Sequence, residues 1–256
     1  ANFPSELSPA VAFAGLFKEA KDSGERALEF RMRAVLDKIG STAGGSYSPK
    51  VTDFPYASPA VLVWIANKFI AQESTPEAVL AMERLTQVFG ETGGEFLFDA
   101  YYVLGRASEK VKDYAEAANH YDVALTNSIG HELDNDARIR RGHAFFKVGK
   151  ATKSASAFEK AYSSFEEVRK DSETNLELRA QCSFMMGECR KSSERPAKYR
   201  EAAFLYLETT LNFPSAVEWV PKAFDQAISC FEQTGPPSQI TLVNKQYVAW
   251  QRKFLK

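Results

Sequence analysis

The stretch Asp99–Leu125 constrains the fold most, because it contains two helical patterns joined by a short polar turn. In its first half Leu104 and Gly105 share one helical face, and a glycine inside a helix costs about 1 kcal/mol relative to alanine. We therefore expect Gly105 to let a second helix approach closely. After the turn at Lys112–Asp113, a second stripe at helical spacing consists of Tyr114, Ala117, Ala118, Tyr121 and Ala124. The pattern predicts a helical hairpin.

This hairpin resembles the tetratricopeptide repeat, whose signature is Leu-Gly and an aromatic, then Tyr-x-x-Ala, an aromatic and Ala. The matching residues are Leu104, Gly105, Tyr114, Ala117, Tyr121 and Ala124. Ser108 stands where the signature has an aromatic, and the closing proline is absent. The resemblance implies an all-α fold, a right-handed superhelical solenoid of helix-turn-helix repeats. It implies a manner of binding rather than a ligand, since such scaffolds serve many unrelated partners.

Related patterns recur along the chain at intervals longer than the family's usual period of about 34 residues. The small residues that take the place of Gly105 are Ala66, Gly142 and Gly187. In the repeat of Gly142, we expect Gly149 to end the first helix, and Ser154 and Phe158 to lie on the second. The irregular spacing also looks like the repeat proteins of the bacterial envelope that resemble TolA-binding and outer-membrane assembly factors.

The local composition and the positions of helix-breaking Gly and Pro residues predict four segments. Residues 1–39 read as a degenerate N-terminal hairpin, and residues 40–57, rich in Gly, Ser and Pro, read as an irregular linker. Residues 58–235 contain the tetratricopeptide-like repeats, and residues 236–256 read as a capping helix that covers the apolar end of the stack.

Charge and cysteine content narrow the function classes. The chain has 32 Lys and Arg against 33 Asp and Glu, a net charge of -1, which disfavours nucleic acid as a partner. Its most apolar run is too short and too rich in proline for a membrane span. The three cysteines, an odd number, predict buried reduced thiols rather than a disulfide framework or a metal site.

The compartment stays open between the cytoplasm and a bacterial periplasm. The chain begins at Ala1 without methionine, so either a targeting segment has been removed or Ala1 is an artificial boundary.

In a stack of hairpins the first helices line the concave surface, so residues one step beyond their packing face should point into a groove. By the hairpin alignment these are Trp64, Asn67, Tyr102, Arg106, Arg140, His143, Lys147, Phe184, Glu188 and Lys191. Aromatics mixed with cations suit an extended peptide or a helix with an acidic or carboxylate group. The alternative is an ordinary solvated surface whose side-chain stems pack on their neighbours.

Chaperone-binding members of the family hold a peptide carboxylate with lysine, asparagine and arginine on adjacent first helices. Here Asn67, Arg106 and Arg140 are comparable, and the full set is absent. The resemblance therefore carries a carboxylate clamp only as a hypothesis.

Catalysis competes with binding through one segment, the HELDND run from His131 to Asp136. We interpret it as a helix start, with Asn135 or Asp136 as the cap and acids that complement the helix dipole. It lacks the second histidine of a zinc-protease helix, and no phosphate loop or nucleophile elbow occurs elsewhere. We therefore expect a non-enzymatic scaffold or adaptor that binds another protein or peptide and has no cofactor.

Two alternatives stay open. One is an oligomerisation module that self-associates through Trp250 and Phe254 of the terminal helix. The other is a sensor that encloses a small ligand among Trp64, Tyr102 and Phe146.

Overall fold

A computed structural model describes residues 59–71, 75–90, 94, 96–128, 130–171, 175–192 and 196–255. The predicted N-terminal hairpin and linker lie outside these residues. The described residues are all-helical, with no strand among them, so the all-α prediction is confirmed for this part of the chain.

The described residues form ten helices. They are α1 (Pro59–Ala71), α2 (Thr75–Phe89), α3 (Phe96–Lys110), α4 (Tyr114–Thr126), α5 (Asp134–Thr152), α6 (Ala155–Lys170), α7 (Leu176–Lys191), α8 (Pro196–Asn212), α9 (Trp219–Thr234) and α10 (Pro237–Phe254). Helices that follow one another in sequence pack together from α1 to α3 and again from α5 to α10. In addition, α1 contacts α3 and α7 contacts α9.

The chain divides into two compact units within the predicted hairpin Asp99–Leu125, at the turn after α3. The first unit contains α1, α2 and α3, and its core includes Leu62, Ile65, Phe69 and Met82. The second unit contains α4, apart from its last residue, and α5 to α10. The predicted hairpin therefore contributes one helix to each unit.

Three glycines inside helices of the second unit face an aromatic ring of the next helix so closely that an added Cβ would clash with it. A Cβ on Gly142 would lie 2.8 Å from Cε1 of Phe165, and one on Gly149 would lie 2.8 Å from Cε1 of Phe158. A Cβ on Gly187 would lie only 2.6 Å from Cε1 of Tyr206. The first helix of each pair thus gives up helix propensity so that the ring of the second can touch its backbone.

The predicted boundary between α5 and α6 was wrong. Gly149 does not end the first helix; it is buried inside α5, which continues to Thr152. Ser154 does not lie on the second helix; it is the N-cap of α6, and its hydroxyl accepts a hydrogen bond from the amide of Ala157. The physical reason is that the ring of Phe158 needs a glycine opposite it, and Gly149 supplies that position.

The turns before α4 and α6 have the same construction. Lys112 and Lys153 both adopt the left-handed conformation, with φ of 64° and 57°. Each is followed by a capping residue that accepts a hydrogen bond from the amide three residues on: Asp113 from Glu116 at 3.1 Å, and Ser154 from Ala157 at 3.3 Å. Two turns of one design are what a repeat predicts.

Two arginines in the second unit each hold three helices together. Arg141 of α5 donates to Ser164 and Glu167 of α6 and to Asp122 of α4. Arg190 of α7 pairs with Glu159 of α6 and with Glu201 of α8, and its guanidinium lies 4.1 Å from the centre of the Tyr162 ring. Charge-assisted pairs of this kind add orientation to the apolar packing.

The terminal helix α10 packs its apolar residues against α9. Trp250 and Val243 of α10 are buried in the same core as Phe224 and Phe231 of α9. The indole nitrogen of Trp250 donates to the carbonyl of Pro214 at 2.6 Å, which fixes α10 to the connection between α8 and α9.

Candidate functional site: a lysine-lined cavity in the second unit

A cavity of about 390 Å³ opens where the C-terminal ends of α5 and α7 meet the N-terminal parts of α6 and α8. It is lined by Lys150, Lys153, Phe158, Glu188, Lys191, Ser192 and Tyr199. These lining residues carry three ammonium groups, one carboxylate, two hydroxyls and two aromatic rings. We call this space the lysine cavity.

The charged residues of the lysine cavity stand at the same sequence offsets from two glycines. Lys150 and Lys153 follow Gly149 by one and four residues, and Glu188 and Lys191 follow Gly187 by one and four residues. Lys150 lies on α5, Glu188 and Lys191 lie on α7, and Lys153 lies in the turn just after α5. Both glycines touch an aromatic ring of the next helix.

Glu188 is held in place by the core of the unit. The phenol of Tyr206 is buried and donates a hydrogen bond of 2.6 Å to Oε1 of Glu188. Burial, and then the negative charge of Glu188, raise the pKa of Tyr206 far above its usual range, so the phenol remains a donor. The carboxylate is thereby oriented at the edge of the cavity.

The lysines are oriented by neighbouring groups as well. The ammonium of Lys191 donates to Oε1 of Gln226 on α9, at 2.5 Å. The ammonium of Lys150 lies 5.3 Å from the centre of the Phe146 ring, within the range of a cation–π contact. These contacts orient the ammonium groups of Lys150 and Lys191, each of which has three donor hydrogens.

Only two of the predicted groove residues, Glu188 and Lys191, line the lysine cavity. Lys147 is exposed on α5. Arg140 donates from Nε to Asp136 at 2.6 Å, one helical turn away. Phe184 packs inward between Tyr206 and Trp219, with ring centres 5.3 and 5.5 Å apart.

The remaining groove residues belong to the first unit. Asn67 is exposed, whereas Tyr102 is 7% exposed and stacks on Phe98. The guanidinium of Arg106 lies 6.0 Å from the centre of the Tyr102 ring. The side chain of Trp64 lies outside the described residues, and the carboxylate clamp of Asn67, Arg106 and Arg140 stays a hypothesis.

The sequence analysis missed Lys150, Lys153, Ser192 and Tyr199. The signal was present, because Gly149 is followed by charged residues at the same offsets as Gly187. The hairpin alignment matches Gly142, seven residues earlier, with Gly105 and places Gly149 at the helix end, so it does not predict these residues as part of a site.

The third predicted groove residue of α5, His143, lies against the core. Its imidazole makes an edge-on contact with the ring of Phe165 at 5.1 Å. Burial lowers the pKa of His143, and the neighbouring charges of Lys147 and Arg140 lower it further. The neutral form is therefore favoured in the folded protein.

We expect this histidine to make the protein less stable in acid. Its folded pKa lies below the unfolded value of about 6.5, so its contribution is intact above that pH and is lost as the pH falls toward the folded pKa. Burial also lowers the pKa of His120, so this histidine likewise contributes to the loss of stability as the pH falls. The melting temperature measured from pH 8 to pH 5 should fall less steeply in His143→Gln than in the wild type. Identical slopes would contradict this assignment.

The three thiols are buried, as predicted. Cys182, Cys189 and Cys230 are unpaired by disulfides and buried. Burial raises the pKa of Cys182 to about 12 and that of Cys230 to about 11, so neither is a thiolate near neutral pH.

The HELDND segment forms the start of α5, although the predicted caps are wrong. Leu133 occupies the N-cap position, and Asp134 and Asp136 lie in the first turn. The ring Nδ1 of His131 accepts a hydrogen bond from the amide of Leu133 at 3.1 Å. Within the described ranges, no group of three His, Cys, Asp or Glu residues is arranged to hold a metal ion.

None of the helices in the described part of the chain has the length and apolar character needed to cross a membrane.

Comparisons of the chain with protein-family models, with curated proteins and with solved structures found no match.

Proposed function

We propose that this protein is a non-enzymatic scaffold that binds a segment of a partner protein along the exposed residues of α5 and α7. The observation that carries the proposal is the lysine cavity, in which charged residues from two successive glycine-containing helices converge. Lys147, one turn before Lys150 on α5, extends the positive surface along the same helix. A cavity of this size with a few convergent polar groups suits a side chain of an extended peptide.

We propose further that the helices form tetratricopeptide-like repeats in a right-handed superhelix. This is supported by the shared construction of the turns at Lys112 and Lys153, and by the contacts of α1 with α3 and of α7 with α9. In a stack of hairpins the first helices meet one another in this alternating way. The peptide-binding surface would then be the one lined by first helices, which include α5 and α7.

Capture from a lysate of the source cells tests the binding proposal. The variant Lys147→Glu with Lys150→Glu should lose at least 80–90% of one specific partner, about a tenfold change in affinity, since each reversal replaces attraction by repulsion. The matched control is Lys160→Glu with Lys170→Glu, which makes the same charge change at exposed positions of α6. Equal capture by both variants would contradict the proposal.

A second candidate function is self-association through the terminal helix. Trp250 and Phe254, the residues first assigned to it, are stacked on each other with ring centres 5.6 Å apart, and Trp250 is buried. The exposed apolar residues of α10 are instead Leu242 and Val248, at 57% and 45%. Sedimentation velocity over a concentration range tests this function: a dimer abolished by Val248→Glu supports it, and a monomer at all concentrations rejects it.

A further inference from the structure

We propose that the lysine cavity is a site for a phosphoryl monoester, borne by a phosphorylated side chain of the bound partner segment. The inference rests on the proposed scaffold function, because the partner would bring the ester to the site. It concerns the chemistry of one subsite, and small esters can test it without a partner.

The charge of the cavity selects a dianion. Lys150, Lys153 and Lys191 contribute three positive charges and Glu188 contributes one negative charge, so the lining residues that the structure describes have a formal charge of +2. A phosphoryl monoester carries about -1.5 to -2 at pH 7, which balances that charge. A single carboxylate would leave about half of it uncompensated.

The type of cationic donor also favours a phosphoryl group over a carboxylate. Among the lining residues that the structure describes, all cations are ammonium groups and none is a guanidinium. Arginine offers a planar fork that matches a carboxylate, whereas lysine acts as a point charge and is a common ligand of phosphate. The hydroxyls of Ser192 and Tyr199 add donors of the kind that the three terminal oxygens of a phosphoryl group accept.

Glu188 makes the site selective rather than merely basic. Oε1 of its carboxylate accepts the hydrogen bond from the Tyr206 phenol, which holds the negative charge at the edge of the cavity. Its negative charge therefore adds a repulsion that a weakly charged anion must overcome. Removal of this charge should strengthen binding of every anion.

The walls leave room for more than the anion. Phe158 is buried at the base of α6, and Tyr199 lies half-buried near the start of α8. A volume of about 390 Å³ accommodates the carbon residue that bears the ester beside these rings. A phosphorylated side chain with an apolar neighbour fits this combination of charge and aromatic wall.

The first experiment uses phenyl phosphate, with phenylacetate and phenol as matched probes, in an NMR titration of the full chain at pH 7.5. Phenyl phosphate should bind at least about tenfold more tightly than phenylacetate, and phenol should not bind. Its affinity should fall as the pH is lowered through about 6, where the ester loses its second charge. Equal binding of phenyl phosphate and phenylacetate would overturn the inference.

Side-chain variants locate the site. Lys150→Met and Lys191→Met should each weaken phenyl phosphate about fivefold or more, whereas Glu188→Gln should strengthen it about threefold or more. Lys160→Met is the control, because Lys160 is an exposed lysine of α6 outside the lining. Unchanged binding in all three cavity variants would overturn the inference and leave the lysines as partners of the helix C-termini.

One substitution separates binding from stability. Lys153 adopts the left-handed conformation, which glycine tolerates better than lysine, so Lys153→Gly should raise the melting temperature while it weakens phenyl phosphate about fivefold. Lys112→Gly, in the equivalent turn outside the lining, should raise the melting temperature and leave binding unchanged. Weakening by both variants to the same degree would contradict a local site.

A peptide arm identifies the source of the ester. A short peptide with one phosphoserine flanked by leucines should bind more tightly than phenyl phosphate, and its unphosphorylated form should bind at least about tenfold more weakly than the phosphopeptide. A phosphopeptide no tighter than phenyl phosphate would overturn a partner-borne ester. If phenyl phosphate does not bind but the variant Lys147→Glu with Lys150→Glu still loses the partner, the phosphoryl site is refuted and the scaffold is not. If phenyl phosphate binds but this variant captures the partner as well as its control does, the scaffold is refuted and the phosphoryl site is not.

Discussion

Replacement of Tyr206 by alanine is expected to lower the free energy of unfolding by about 3–5 kcal/mol. Tyr206 is fully buried on α8, its ring touches the backbone at Gly187, and it packs against Phe184 at 5.3 Å between ring centres. Truncation would leave a cavity at the junction of α7 and α8 and would also remove the donor to Glu188. Urea denaturation followed by circular dichroism measures the change.

Tyr206→Phe is the matched control for this prediction. It keeps the ring contacts and removes only the hydrogen bond to Glu188, so the loss should be about 1–2 kcal/mol for a charged acceptor that is partly exposed. A loss in the alanine variant that does not exceed the loss in the phenylalanine variant would contradict the packing role of the ring.

The second large effect is a destabilisation by Gly187→Ala of about 1–3 kcal/mol. Helix propensity alone predicts the opposite sign, a gain of about 1 kcal/mol inside a helix. The packing term dominates because the added Cβ would lie 2.6 Å from Tyr206, a ring that is enclosed on all sides and has no room to retreat. Gly142→Ala should behave likewise against Phe165, which is also fully buried.

Two controls separate the clash from a general effect of alanine. Ser163→Ala, at an exposed position of α6, should be neutral or slightly stabilising. In the background of Tyr206→Leu, where the smaller side chain leaves space, Gly187→Ala should cost at least about 1 kcal/mol less than in the wild type. Additive effects in this double-mutant cycle would show that Gly187 and Tyr206 do not share a contact.

The helical class and most helix positions could be predicted from the sequence because apolar residues recur at helical spacing. The turn before α6 could not, since Gly142 and Gly149 are seven residues apart and lie on the same face of one helix. Either could be the contact glycine, and a glycine near a turn is the usual helix end. In the structure both are contact glycines, and the left-handed position of the turn is filled by Lys153 instead.

The candidate site was predictable to a smaller extent. Glu188 and Lys191 were identified from their position beside Gly187, and both line the lysine cavity. The positions of the aromatic groove residues were harder to predict, because an aromatic side chain at the edge of a helix face can point either into the groove or into the core. Phe184 points toward the core and packs against Tyr206 and Trp219, and helical periodicity alone does not determine this orientation.

Site-specific photo-crosslinking tests the central claim, that the exposed residues of α5 and α7 contact the partner. A benzoylphenylalanine placed at Lys147 of α5 should crosslink one partner protein in a lysate of the source cells. The same group at Ser163, an exposed position on α6, should give at most about one tenth of that yield, because it lies on the second helix of the pair. Crosslinks to the partner from Ser163 and none from Lys147 would contradict the claim.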